Sequence, residues 1–169
     1  HFLECTVRPS IISKGQEESI TRIFSVADKA RKVEQFDSVI DSLRGFEKLE
    51  NISEISIEKK ELNDANLEEC VSLALEESVI NTDHTLVTSI TTSGGELLKD
   101  NIFLVDMPGL DGGYVNLDNP IYETISQRAD FVIFVQSSNS AISKVSNRFL
   151  KLLQENNPKV PVCLLHNVF

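Results

Sequence analysis

Apolar side chains recur along this chain at two different periods, and the change of period organises it. Val26, Ala30, Val33, Phe36, Val39, Ile40 and Leu43 fall mostly three or four residues apart. That spacing lines one face of a helix, with Ser25 as its N-cap and Gly45 as its stop. Ahead of it, "VRPSIIS" and "SITRIF" read as two short strands about a polar turn, "KGQEE", where Gly15 is available for positive φ. Residues 46–63 fit neither period, because Ile52, Ile55 and Ile57 stand among lysines and glutamates. Leu67, Val71, Ala74 and Leu75 predict a second helix over about 66–79. "HTLVTSITTSGG" is rich in β-branched residues and closes on Gly94-Gly95, as an edge or hairpin strand would.

From Lys99 the pattern becomes regular. "NIFLVD", "DFVIFVQ" and "VPVCLLHN" are apolar runs of strand length, separated by the amphipathic segments "PIYETISQRA" and "SKVSNRFLKLLQENN". Strands apolar on both faces, alternating with helices, predict an α/β fold: a mostly parallel sheet with helices on both faces. Ligands of such sheets sit beyond the carboxyl ends of the strands. Asp106, Gln136 to Ser138 and Asn167 all fall there.

Composition narrows the partners. Sixteen basic residues face 26 acidic ones, for a formal charge of −10. Bare nucleic acid, held mainly through lysine and arginine, is a poor match, and so is an anionic membrane surface. No apolar run approaches the roughly 20 residues of a membrane helix, and no signal peptide is legible. Cys5, Cys70 and Cys163 are scattered without CxxC spacing and read as reduced thiols of a cytoplasmic protein. The chain begins with His1 and its single methionine is Met107, so a piece of a longer polypeptide is expected.

The segment "FLVDMPGLDGG", Phe103 to Gly113, concentrates the chemistry. An apolar strand ends on a carboxylate and breaks at once into a Pro-Gly turn. Two families place an acid, a proline and glycines in nearly this order. Receiver domains of two-component signalling carry a Met-Pro-Gly-Leu-Asp-Gly-like loop, matched by Met107 to Gly112. Their acceptor aspartate precedes the methionine by three residues, and Leu104 stands at that position. Neither the acidic pair nor the strand-ending lysine of a receiver is present. The other reading is the Asp-x-x-Gly switch of P-loop GTPases. There the acid holds Mg²⁺, usually through water, and a glycine three residues later lets its N–H approach the γ-phosphate. Here these are Asp106 and Gly109, and Gly112 and Gly113 leave the following segment free to rearrange.

"LLKDNIFLVDMPGLDGG" followed by "ADFVIFVQSSNSAISKVSNRFLKLL" resembles the dynamin-like GTPases, the bacterial ones above all. The resemblance runs from Thr85 to Asn167 and touches "CTVRPSIISKGQEES". It implies a single three-layer GTPase-like domain over residues 1–169, with 25–84 as a helical insertion. Asp106, Pro108 and Gly109 would form the nucleotide-binding turn, with Asp106 linked to Mg²⁺. Thr6 would be the switch threonine that completes the metal shell, and Thr6 and Gly109 the residues that serve catalysis. Asn167 would open the guanine-reading Asn-Lys-x-Asp motif, although Val168 replaces the lysine. Leu110 stands where small signalling GTPases carry a water-orienting glutamine. No G-x-x-x-x-G-K-[ST] loop occurs, and the resemblance places it upstream of His1. It further implies GTP or GDP as ligand, a homodimer or oligomer of the parent, and a cytoplasmic or peripheral membrane location through regions outside this chain. Plainer roles stay open. Asp106 can serve as a strand-end cap, Thr6 as an edge residue, Asn167 as a backbone partner, and the whole domain as an interaction module without hydrolysis.

Overall fold

The computed structural model describes residues 9–46, 48–69, 85–94, 98–99, 101–110, 120–137 and 142–167. The chain divides into two compact units, His1–Gly109 and Leu110–Phe169.

The first unit is built on five strands: β1 (Ser10–Lys14), β2 (Ser19–Ser25), β3 (Ile55–Glu61), β4 (Thr85–Thr92) and β5 (Phe103–Asp106). Their order across the sheet is β3-β2-β4-β1-β5. Among the described strands β1 and β4 run parallel, while β1 with β5, β2 with β3 and β2 with β4 are antiparallel. The α/β class holds, but the sheet of this unit is mixed rather than mostly parallel. The reason is a strand order that local pattern does not carry. β1 and β2 are not a hairpin, because β4 is inserted between them, and β4 is thereby an interior strand rather than an edge. Its Leu86 and Val87 are 2% and 0% exposed.

Helix α1 (Lys29–Leu43) packs against β4. Phe36 and Val39 on its apolar face are fully buried, as are Ile23 and Val87 of the sheet. Its N-cap is Asp28, whose carboxylate accepts from the Arg31 N–H at 3.0 Å, and not Ser25. Ser25 instead ends β2, where its hydroxyl accepts from the Ala27 N–H and is bonded to Gln35. The Gln35 amide in turn donates to the Ser53 carbonyl at 2.9 Å, tying α1 to the segment before β3. Gly45 closes the helix in the left-handed region at φ 81°, as its position predicts. Gly15 does not use positive φ. It is required for space, since a Cβ there would run into the Thr91 side chain.

Residues 25–84 are therefore not only helical. They contribute β3, an edge strand guarded by Glu58, Lys59, Lys60 and Glu61, the kind of charged edge that discourages further pairing. A helical stretch at 64–69 follows, capped by the Asn63 side chain. The rest of the predicted second helix lies outside the described residues. Lys60 clamps this stretch to the sheet with Nζ 2.7 Å from Glu69 and 3.3 Å from Glu58. The hydrogen bond to Glu69, followed by that to Glu58, raises its pKa above the ordinary lysine value.

The second unit contains α2 (Pro120–Arg128), β6 (Val132–Ser137), α3 (Lys144–Asn156) and β7 (Val162–Asn167). β6 and β7 pair in parallel, as the alternation of strands and helices predicts. The two helices meet through Tyr122 and Phe149, edge to face with ring centroids 6.2 Å apart. Asn156 donates to the Ser126 hydroxyl at 2.8 Å, and Asn157 to the Ala129 carbonyl at 2.9 Å. Ser143 caps α3 by accepting from the Ser146 N–H. No helix among the described residues is long and apolar enough to cross a membrane.

Candidate functional site

Strand register brings the first part of the site together. β5 runs antiparallel to β1, and its last residue, Asp106, stands opposite Ser10, the first residue of β1. The chain that precedes Ser10 and the turn that follows Asp106 thus leave the sheet at one rim. β2 ends and β4 begins at this same rim, where Phe24 faces Thr85. Pro9 anchors the approach to β1, its carbonyl accepting from the Thr88 N–H at 3.2 Å. Thr6 lies outside the described residues.

In the turn itself, Asp106 is exposed, Pro108 buried and Gly109 exposed. A buried proline with φ fixed near −65° fixes the path of a turn that otherwise carries little packing. At Gly109 an added Cβ would meet nothing within 4 Å. The absence of a side chain is therefore not required by the fold, and open space adjoins the backbone there.

The second part stands at the carboxyl end of the parallel pair. Ser137 faces Asn167 and Gln136 faces His166, so both strand ends identified from the sequence adjoin one another. Within the second unit the expected juxtaposition is present. Cys163 is a free thiol that is half-buried.

Sequence reasoning passed over Arg22, a lone guanidinium in the apolar "SITRIF" strand. It is 4% exposed on the same sheet as Asp106. Its partners are Glu58 at 3.5 Å, the Thr85 hydroxyl at 3.4 Å and the face of Phe24 at 4.6 Å. A charged residue inside an otherwise β-branched strand was the signal available.

No group of three or more His, Cys, Asp or Glu side chains able to hold a metal occurs among the described residues. A single exposed carboxylate beside open backbone suits Mg²⁺, which keeps most of its waters and takes one or two carboxylates together with phosphate oxygens.

Two solved structures share the fold. Both are of an oligomerised bacterial dynamin pair, described as a mechanism for the long-range sensing and tethering of membranes. One aligns with a TM-score of 0.57 at 19% identity over 93% of this chain, the other with 0.52 at 13% over 94%. The chain spans 22% and 34% of their respective lengths. Among curated protein sequences none matches. The sequence profile of the dynamin family, by contrast, matches residues 1–168, nearly the whole chain. On that match the chain belongs to the dynamin family.

Proposed function

We propose that this chain is part of a dynamin-type GTPase domain, in which the Asp106–Gly109 turn reads the terminal phosphate of a guanine nucleotide in a Mg²⁺-dependent switch. The observation that carries the reading is the turn itself: an exposed carboxylate ending β5, a buried proline, and a glycine that the fold does not require. Membership of the dynamin family supports it.

In this mechanism the carboxylate of Asp106 orients the water shell of the metal site. The N–H of Gly109 points at the γ-phosphoryl oxygens, where a side chain would obstruct it. Thr6, from the segment before β1, would complete the metal shell in the GTP state. Bound Mg²⁺ supplies charge neutralisation at the transferring phosphoryl group. Catalysis then consists of positioning and electrostatic stabilisation of an in-line water attack, with no covalent protein intermediate. No G-x-x-x-x-G-K-[ST] loop occurs within these 169 residues, and Asn167 contributes to base recognition. Self-association and contact with membranes are assigned to the parent protein, in keeping with the oligomeric, membrane-tethering structures that share the fold.

A second reading has one observation in its favour. Val168 stands where the guanine-reading motif carries lysine, as in a degenerate domain that binds protein partners without hydrolysis. Titration of a fluorescent GTP analogue into the full-length parent, with Mg²⁺ or with EDTA, separates the two. Mg²⁺-dependent binding that GTP outcompetes and ATP does not supports the switch. Absence of nucleotide binding in both conditions leaves the interaction module.

A further inference from the structure

We propose that Glu58 is the centre of a two-ended charge clamp, in which one carboxylate holds both the helical stretch at 64–69 and the bulged start of β4. Four contacts make up the clamp. Glu58 Oε2 lies 3.5 Å from Nη1 of Arg22, and Glu58 Oε1 lies 3.3 Å from Nζ of Lys60. Arg22 Nη2 donates to the Thr85 hydroxyl at 3.4 Å, and Lys60 Nζ lies 2.7 Å from Glu69. Thr85 and Glu69 belong to different elements and are linked through one carboxylate.

Register places the centre. Arg22 and Glu58 are direct cross-strand partners of β2 and β3, and Lys60, two residues on, stands on the same face of the sheet. At the inner end the ladder between β2 and β4 is irregular. Ile23 faces Val87 and Phe24 faces Thr85, which leaves Leu86 as an extra residue. A bulge of this kind bends its strand and disrupts the ladder locally. Arg22 bridges it, reaching Thr85 beyond the extra residue while its guanidinium lies 4.6 Å from the centroid of the Phe24 ring. A guanidinium that is 4% exposed is tolerated when it is paired, and Glu58 is a counter-charge across the strand pair. Thr85 stands at the rim that also carries Asp106, so the inner jaw shapes that rim.

The outer jaw holds the far end of the helical stretch. Its start is fixed separately, by the Asn63 cap and by Asn66 Nδ2 donating to the Glu61 carbonyl at 2.8 Å. Lys60 then grips Glu69 at the other end. Charge alternates along Arg22, Glu58, Lys60 and Glu69, and the two middle members each serve two neighbours. Burial falls in the same order, from Arg22, buried, through Glu58 and Lys60, half-buried, to Glu69, exposed. Salt therefore screens the outer pair and spares the inner one. Neutralising the shared carboxylate loosens both.

The test is hydrogen–deuterium exchange of the full-length parent, followed in peptides covering 64–69 and 85–88. Glu58→Gln is expected to speed exchange about 3- to 10-fold in both peptides. Lys60→Met is expected to speed it in 64–69 alone. Lys59→Met is the control, since Lys59 lies on the opposite face of β3 and pairs with Glu17, and is expected to change neither peptide. In the unmodified protein, raising salt to about 1 M is expected to speed exchange at 64–69 and to leave 85–88 in place. An effect of Glu58→Gln confined to one peptide overturns the clamp, as does an equal effect of Lys59→Met or no effect of Lys60→Met at 64–69. Should Glu58→Gln fail to fold, the salt series decides: no change at 64–69, or an equal change at 85–88, overturns the proposal.

Discussion

The two sheets of this chain have nearly the same aliphatic character in sequence and very different surroundings in the structure. In the five-stranded sheet, Ile11, Ile20, Ile23, Leu86 and Val87 are all 2% exposed or less. In the parallel pair of β6 and β7, Ile133, Val135 and Leu165 are 51%, 62% and 48% exposed. By register Ile133 pairs with Cys163 and Val135 with Leu165, so these residues line one face. Phe134, pointing the other way, is 9% exposed. On that second face Leu164, opposite Phe134, is still 45% exposed, so the pair is incomplete by general experience, since parallel sheets are covered on both faces. The difference teaches that the Asp106 turn stands on a sheet with its own core, whereas the strand end at Asn167 stands on one whose stability depends on more than its two strands.

Core substitution tests that contrast with the largest expected effect. Phe36→Ala removes a fully buried ring between α1 and the sheet and is expected to cost about 3–5 kcal/mol in chemical denaturation. Val135→Ala, at a site 62% exposed, is expected to stay within about 0.5 kcal/mol. Comparable losses at the two positions would mean that the outer face of β6 is as well covered as the first core.

Gln35→Ala acts on the same side of the comparison more gently. It removes the partner of the buried Ser25 hydroxyl and of the Ser53 carbonyl, with an expected cost of about 1–3 kcal/mol. Gly15→Ala is expected to fall in a similar range of about 1–3 kcal/mol, because the new methyl group displaces Thr91. Gly109→Ala should behave in the opposite way. A methyl group there meets nothing within 4 Å, so stability is expected to hold within about 0.5 kcal/mol, while the parent loses affinity for GTP more than for GDP. A stability loss at Gly109 matching that at Gly15 would assign both glycines to the fold. The smallest effect is expected at Lys60, a half-buried ion-pair site at the sheet edge. Lys60→Met should leave the melting temperature nearly unchanged at physiological salt.

What was legible in the sequence was what short-range pattern determines. The period of Phe36 and Val39 gave α1, Gly45 its end, and the apolar runs before Asp106, Ser137 and Asn167 gave β5, β6 and β7. What was not legible depended on distant partners. Nothing local to "VRPSIIS" and "SITRIF" says that β4, more than 60 residues on from β2, separates them. The charged strand β3 shows no alternation, because as an edge strand it has only one neighbour to pack against. The cap of α1 moved from Ser25 to Asp28 because Ser25 is taken by Gln35, a contact made only once the helix has docked. The Asp106 turn was readable as a motif, since its residues are consecutive. Its alignment with Ser10, Thr88 and Arg22 was not, since it exists only in the register of four strand pairs.

The most direct test of the central claim is Mg²⁺-dependent GTP hydrolysis by the full-length parent, compared between wild type and Asp106→Ala under saturating nucleotide. Loss of a charge-stabilising group at a phosphoryl-transfer site predicts a fall on the order of 100-fold or more, with the fold intact by circular dichroism, since Asp106 is exposed. Hydrolysis retained at the wild-type rate in a folded Asp106→Ala protein would contradict the account.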